Sequence, residues 1–277
     1  MKKNIKLYFL IIGVVFLFFS CSEDFLNVSS PSSVDEDFVF STPDEAYKVI
    51  VGCYDIWREC NNNLFYDLDV VGSDSECHPE SYDAQMRHIP EGLYASEISI
   101  DYSNAVKAWK DLYKVANRAT IIKEAIEEIA EYKQAVEKGE INLWTQLYGE
   151  AVTFRAYAYH NLIRYFGDVP HFSEAIYSTE QTENVACKSR DEIYDYELSE
   201  LQRVEPLMYR LGEGGINAER FSRTFVQGLI GRIALFAGGY GLRRTDFNYG
   251  DVTFEQIGSE KWNAKYVRRI DYKRYYQ

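Results

Sequence analysis

The sequence predicts a mostly α-helical protein, a tetratricopeptide-like body of paired helices that carries long irregular loops. Three observations predict it. Apolar residues recur with a 3.6-residue period over several segments, two of those segments open on a capping box, and strand-like alternation is scarce, Leu64–Val71 being the best candidate. Alanines share the apolar faces with aromatics, and such faces let helices approach closely, as they do in helix-pair repeats. No clean internal repeat accompanies them.

The first helix opens at Thr42-Pro43-Asp44-Glu45, which supplies an N-cap hydroxyl, Pro at the first helical position and Glu three residues on. Ala46, Val49, Ile50, Cys53 and Trp57 then lie on one face, and the helix is expected to end near Arg58, before three asparagines. Residues 61–103 keep no period and are rich in Asp, Ser, Asn, His and Pro; an irregular segment of that length inside a domain is usually either functional or a misreading of its elements. Asn104 opens a long helix whose stripe runs Ala105, Ala108, Trp109, Leu112, Ala116, Ala119, Ile122, Ile126 and Ile129, with Gly139 as its stop. A third helix starts near Asn142 and runs through Leu147, Ala151, Phe154, Ala158 and Leu162 to Gly167, followed by Pro170. Ser189-Arg190-Asp191-Glu192 is the second capping box, opening a helix to Pro206. The last segment places Phe225, Leu229, Ile233 and Phe236 on one stripe, stopped by Gly238-Gly239. Gly212-Glu213-Gly214-Gly215 has no Lys beside it and no strand before it, so it reads as a loop rather than a phosphate cradle.

The N-terminus gives the location. Lys2, Lys3 and Lys6 precede thirteen uncharged residues, Leu7–Phe19. That run is too short for a bilayer core, which needs about 20 helical residues, and fits a secretory signal. It ends at Ser20-Cys21, the layout of a bacterial lipoprotein cleavage site. Residues 1–20 are therefore expected to be a removed signal peptide, with Cys21 the lipid attachment point. Residues 21–41 are expected to form a tether, residues 42–240 the helical domain, and residues 241–277 the start of a C-terminal region. Ser22-Glu23-Asp24 adds a polar, acidic step directly after the anchor.

Composition narrows the function. Apolar residues are 46% of the 277 and charged residues 26%, enough for a core and against wholesale disorder. Lys and Arg number 30 against 43 Asp and Glu, a net charge of −13, which excludes a basic nucleic-acid-binding surface. Removing residues 1–20 takes away three lysines and no acid, which leaves −16. One membrane-scale apolar run excludes a multi-pass protein. The surplus is aromatic, 16% of residues with 23 Tyr. Sugars present apolar C–H faces and hydroxyl rims, so flat rings flanked by amides, acids and Arg suit them.

Six stretches, in order, resemble the SusD/RagB family of starch-utilisation-type outer-membrane lipoproteins. They are Cys21–Leu26 (CSEDFL); Thr42–Ala46 leading to Gly52–Tyr54; Trp109–Tyr113 continuing to Ala116-Asn117; Gly149–Tyr159 ending in Tyr165–Pro170; Arg190–Tyr194; and the helix over 221–237. The resemblance implies a SusD-like fold, glycan binding without catalysis, an outer-membrane position facing the cell exterior, and a TonB-dependent SusC-like transporter as partner. Its ligand would be an oligosaccharide or polysaccharide. Members of that family run much longer. This chain, which ends at Gln277 on what reads as the start of another helix, is expected to be the N-terminal part of a truncated member.

Catalytic grammar is sparse: the chain has no HExxH, no GxSxG and no dinucleotide fingerprint. No cofactor, metal or nucleic acid is expected. Asp67, Asp69 and Asp74 lack an EF-hand frame and read as a solvated loop rather than a calcium site. Cys53 reads as a buried thiol; Cys60 and Cys77 could pair in an oxidising location, and zinc with His78 lacks the spacing of a structural site. His160 reads as a core histidine. Glu150, Arg155 and Asp168 read as architecture, the first two bracing neighbouring helices and the third part of an exit turn. The candidate glycan contacts are Tyr66, Asp74, Tyr82, Arg87, Tyr94 and Tyr102, with Asn63 and Gln85 nearby. The rival readings are a structural or adhesive surface lipoprotein and, behind it, an extracellular glycan hydrolase.

Overall fold

The computed structural model describes residues 39–60, 103–260 and 263–277. The helices and strands from Pro43 onward belong to one unit, which begins at Thr42. Helix α1 (Pro43–Cys60) starts where the capping box predicts, with the Glu45 N–H donating to Thr42 Oγ1 at 3.3 Å. It buries Ala46, Ile50, Cys53, Trp57 and Cys60, the expected stripe with Val49 at its half-buried margin.

The single long helix expected over 104–138 is two, α2 (Ser103–Glu127) and α3 (Ala130–Lys138). Neither Gly nor Pro marks the break. Ile129 is extended (φ −75°, ψ 128°), and Glu128 and Ile129 bond back three residues instead of four. The turn brings Tyr132 onto Tyr148 in a stacked pair, ring centres 4.6 Å apart. Packing outweighs an apolar period that would otherwise continue. Gly139 closes α3 in the left-handed region (φ 67°), as its position predicts.

Helix α4 (Leu143–Phe166) is capped by Asn142, whose side chain accepts from the Thr145 N–H at 2.9 Å. From Trp144 to Ile163 it is buried on nearly every side, the mark of a helix at the centre of a bundle. Helices α1, α2 and α5 (Arg190–Val204) pack on it, and α6 (Arg223–Gly238) packs on α5. The result is the predicted mostly α body of neighbouring helices. Gly149 lies under one of these contacts: a Cβ there would sit 2.5 Å from Met208 Sδ, so the Met208 side chain rests directly on the glycine.

Three further expectations change. Helix α6 turns Val226, Leu229, Ile233, Ala234 and Ala237 inward and leaves Phe225, Leu235 and Phe236 exposed, so its buried stripe is shifted from the expected one. Residues 241–269 form a sheet that no alternation in the sequence predicts. Strands β1 (Gly241–Arg244), β2 (Phe254–Gln256) and β3 (Ala264–Arg269) pair antiparallel in the order β1–β3–β2. The further helix expected at the end is a single 3₁₀ turn, Tyr272–Tyr275. Two arginines fasten the sheet to α5: Arg243 forks onto Asp191 with two 2.8 Å bonds, and Arg269 reaches Asp195 at 3.0 Å. These side chains sit on the inner face of short strands, where hydrophobic periodicity carries no signal for them.

Among the described residues no helix is long and apolar enough to cross a membrane.

Candidate functional site

Trp109, Tyr113 and Asn117 lie four residues apart on α2 and form a second stripe beside its core stripe. They face the chain that leaves α4. Gly167 ends that helix, and Pro170 cannot continue it. Tyr113 Oη donates to the Pro170 carbonyl at 2.6 Å. The Asn117 amide pairs with both backbone groups of Ile176, accepting from its N–H at 2.7 Å and donating to its C=O at 2.8 Å. Glu124 accepts from the Ala175 N–H at 2.8 Å, and Tyr159 Oη from the Phe172 N–H at 2.9 Å. Four side chains thus hold residues 170–176 against the helices.

Between this strap and α2 lies a groove of about 500 Å³, within the range of ligand sites. Trp109, Tyr113 and Phe172 give it an aromatic floor, and Lys110, Lys114 and Glu174 stand at its edge. The Trp109 and Tyr113 rings lie 4.8 Å apart, with Phe166 edge-on behind Trp109 at 5.1 Å and Phe172 edge-on to Tyr113 at 6.2 Å. Burial pushes the Tyr113 hydroxyl above its ordinary pKa, so it stays a neutral donor. Such a site can hold an uncharged polar ligand with a flat apolar face. From the sequence Trp109 reads as part of the core stripe; the four-residue spacing of Trp109, Tyr113 and Asn117 is the signal that separates it.

The distinctive motif of α4 is architecture, as expected. Glu150 is fully buried and accepts from Tyr54 Oη at 2.9 Å, from Gln146 at 2.9 Å and from the Arg220 guanidinium. Burial raises its pKa, and the Arg220 guanidinium opposes that rise. Arg155 Nε donates to Glu197 at 3.1 Å, with His171 Nε2 2.9 Å from the same oxygen. Asp168 accepts from the Arg190 N–H and from Tyr249 Oη, tying the α4 exit to α5 and to the chain beyond β1. These bonds brace helices.

His160 is 1% exposed, between Tyr194 and Phe236. Burial lowers its pKa to about 3, with the Arg164, Arg232 and Arg190 charges adding to the effect. A folded-state pKa below the unfolded value means that the unfolded chain takes up the proton first. Stability is therefore full above about pH 6.5 and falls as the pH drops toward the folded value. Between pH 6.5 and pH 5 wild type is expected to lose about 1–2 kcal/mol more than His160→Gln, measured by urea unfolding at both pH values. Equal losses in the two proteins would refute the assignment.

Cys53 is a buried thiol, as expected, with its pKa pushed up to about 12 by burial. Cys60 is also a free, buried thiol raised to about 12. The suggested partner Cys77 lies outside the described residues, as do His78, Asp67, Asp69 and the strand candidate Leu64–Val71. Cys21 and all six glycan candidates, Tyr66, Asp74, Tyr82, Arg87, Tyr94 and Tyr102, lie outside them too. Among the described residues no cluster of His, Cys, Asp or Glu is placed to hold a metal ion.

Comparison with known proteins agrees with the helical architecture. A SusD-like family model, described as starch-binding and associating with the outer membrane, matches residues 24–235. SusD-like protein P38 of Formosa agariphila is 26% identical over 203 residues, 73% of this chain and 37% of that one. SusD-like protein P25 of the same organism is 24% identical over 207 residues, 69% of this chain and 36% of its own length. This chain thus spans a little over a third of those curated relatives. Among solved structures, a laminarin-binding SusD-like protein superposes with a TM-score of 0.55 at 20% identity, covering 70% of this chain and 40% of that one. A SusD superfamily protein from Bacteroides thetaiotaomicron gives 0.53 at 17% identity over 70% and 44%. A structure solved with a xylogluco-oligosaccharide gives 0.52 at 17% identity over 70% and 35%. At those identities the structures share the fold. With a family model covering most of its length and helices in the matching arrangement, the chain belongs to the SusD-like family.

Proposed function

We propose that this chain is a surface-exposed outer-membrane lipoprotein that binds glycans, leaves them uncleaved and delivers them to a TonB-dependent SusC-like transporter. One observation carries the reading: the match over residues 24–235 to a family described as starch-binding and outer-membrane-associated. Ser20-Cys21 after an apolar run supports the anchor, with residues 1–20 the signal peptide and 21–41 the tether of the 42–240 domain. The sugar contacts are Tyr66, Asp74, Tyr82, Arg87, Tyr94 and Tyr102. The groove over Trp109 and Tyr113 supports the reading with a ligand-sized aromatic floor in the helix that follows them. A few ring contacts, each worth about 0.5–1.5 kcal/mol, give micromolar to millimolar affinity, on the order of −8 to −4 kcal/mol. Weak capture suits hand-over.

Laminarin and xylogluco-oligosaccharides head the ligand panel because two fold relatives carry those names. Calorimetric titration of the mature chain, with reducing-end analysis of the same samples, tests the proposal. Saturable heat with no new reducing ends is the expected result. Product formation would make the protein a hydrolase, and silence across a broad panel would leave a structural lipoprotein.

A further inference from the structure

Residues 169–176 alternate with a period of two. Pro170, Phe172, Glu174 and Ile176 line the groove on α2, while Val169, His171 and Ala175 are buried and do not line it. Which set faces the groove is a matter of register. A slip of one residue would exchange the two, taking the Phe172 ring out of the floor and turning His171, Ser173 and Ala175 toward the groove.

The bonds that hold the strap differ in what they read. Tyr113 takes the Pro170 carbonyl, Tyr159 the Phe172 N–H, Glu124 the Ala175 N–H and Asn117 both backbone groups of Ile176. Each of these partners is a backbone group, and every residue except proline carries the same pair. A slipped strap could make such bonds again. Among the described residues, one hydrogen bond to residues 170–176 uses a strap side chain: His171 Nε2 stands 2.9 Å from Glu197 Oε1 on α5. A carboxylate paired with Arg155 accepts, so the imidazole donates. The two side chains are each 2% exposed, and there a bond left unmade costs the full desolvation of its group. The Tyr159 and Tyr196 rings flank the imidazole, with centres 4.5 and 4.9 Å away.

We infer that His171 is a positioning residue for ligand binding on α2: by donating to Glu197 it fixes the register of the strap, and with it the aromatic floor of the groove. Neither His171 nor Glu197 lines the groove, so the effect passes through Phe172. The inference rests on the glycan-binding function proposed above and adds to it the residue that shapes the groove from behind.

The test titrates the mature chain with laminarin and xyloglucan oligosaccharides. It compares wild type with His171→Leu, His171→Gln, Phe172→Ala and the double variant His171→Leu with Phe172→Ala, and takes a melting temperature for each. His171→Leu removes the donor at similar volume and is expected to weaken binding roughly two- to tenfold, the share of one aromatic contact. His171→Gln keeps an N–H donor and should bring binding back to near the wild-type value. Since His171 acts through Phe172, the double variant should bind no more weakly than Phe172→Ala alone. Losses that multiply in the double variant, or a His171→Leu protein that binds as wild type does, would overturn the inference and leave the glycan-binding function standing. Binding unchanged by Phe172→Ala would do the same, whether or not His171→Leu folds. Wild-type silence toward every probe would overturn both.

Discussion

Replacing Glu197 with Ala is expected to lower folding stability by about 3–5 kcal/mol. Glu197 and Arg155 are both about 1% exposed, one on α5 and one on α4. The carboxylate stands between two basic groups, Arg155 Nε at 3.1 Å and His171 Nε2 at 2.9 Å. Among the described residues no second carboxylate bonds to Arg155. Its Nη1 and Nη2 atoms make no hydrogen bond there, and the Tyr196 ring lies 4.7 Å from its Cζ. Removing Glu197 therefore strands a buried cation. Removing both charges should not: Arg155→Met with Glu197→Leu is expected to recover most of the loss, because a buried pair mainly offsets its own desolvation. Urea unfolding of wild type, the single variant and the double variant measures this. A single-variant loss below about 1 kcal/mol would mean that the pair is solvated.

Changing Cys21 to Ala is expected to move the protein from the membrane to the soluble fraction almost completely. The proposed anchor is a set of acyl chains on that one sulfur and the amine it exposes, and each buried CH₂ contributes about 0.8 kcal/mol. One chain alone holds a protein only marginally and reversibly; stable anchoring takes two or more signals. Among the described residues nothing replaces them, since no helix there is long and apolar enough to span a bilayer. A mature net charge of −16 also repels an anionic lipid surface. Detergent phase separation of cell extracts reads the result directly. A Cys21→Ala variant that still partitions with detergent would contradict the anchor.

How much of the fold is legible in the sequence depends on where packing, rather than local pattern, decides. Helices α1, α4 and α5 begin at Thr42, Asn142 and Ser189, where the sequence places their starts, because a cap is a local bond and its donors and acceptors are neighbours in the chain. The break at Ile129 is not legible: no Gly or Pro causes it, and the Tyr132–Tyr148 stack that rewards it joins two separate helices. The sheet escapes for a similar reason. Its inner face is filled by Arg243, Val267 and Arg269, and two of those three are charged residues whose partners include Asp191 and Asp195 on another helix, Arg269 also forking onto Asp271 beside it. The exposed Phe225, Leu235 and Phe236 of α6 show the limit of periodicity, which finds a stripe but not its phase when small residues can take the inside.

The site is legible as chemistry more than as address. An aromatic surplus points to flat platforms, and among the described residues the groove over Trp109 and Tyr113 offers one. The candidates that the sequence suggests all lie in 61–102, outside the described residues. Trp109 is hidden because one stripe of α2 is core and the next is groove, a single residue apart on the helix.

The most direct measurement is capture on living cells. Bacteria displaying this chain, and matched bacteria carrying Cys21→Ala, are incubated with fluorescently labelled laminarin or xyloglucan oligosaccharide, washed and counted. The account predicts saturable labelling of the first population, competed away by unlabelled sugar and absent from the second. Equal labelling of the two, or none on either across a broad set of glycans, would contradict it.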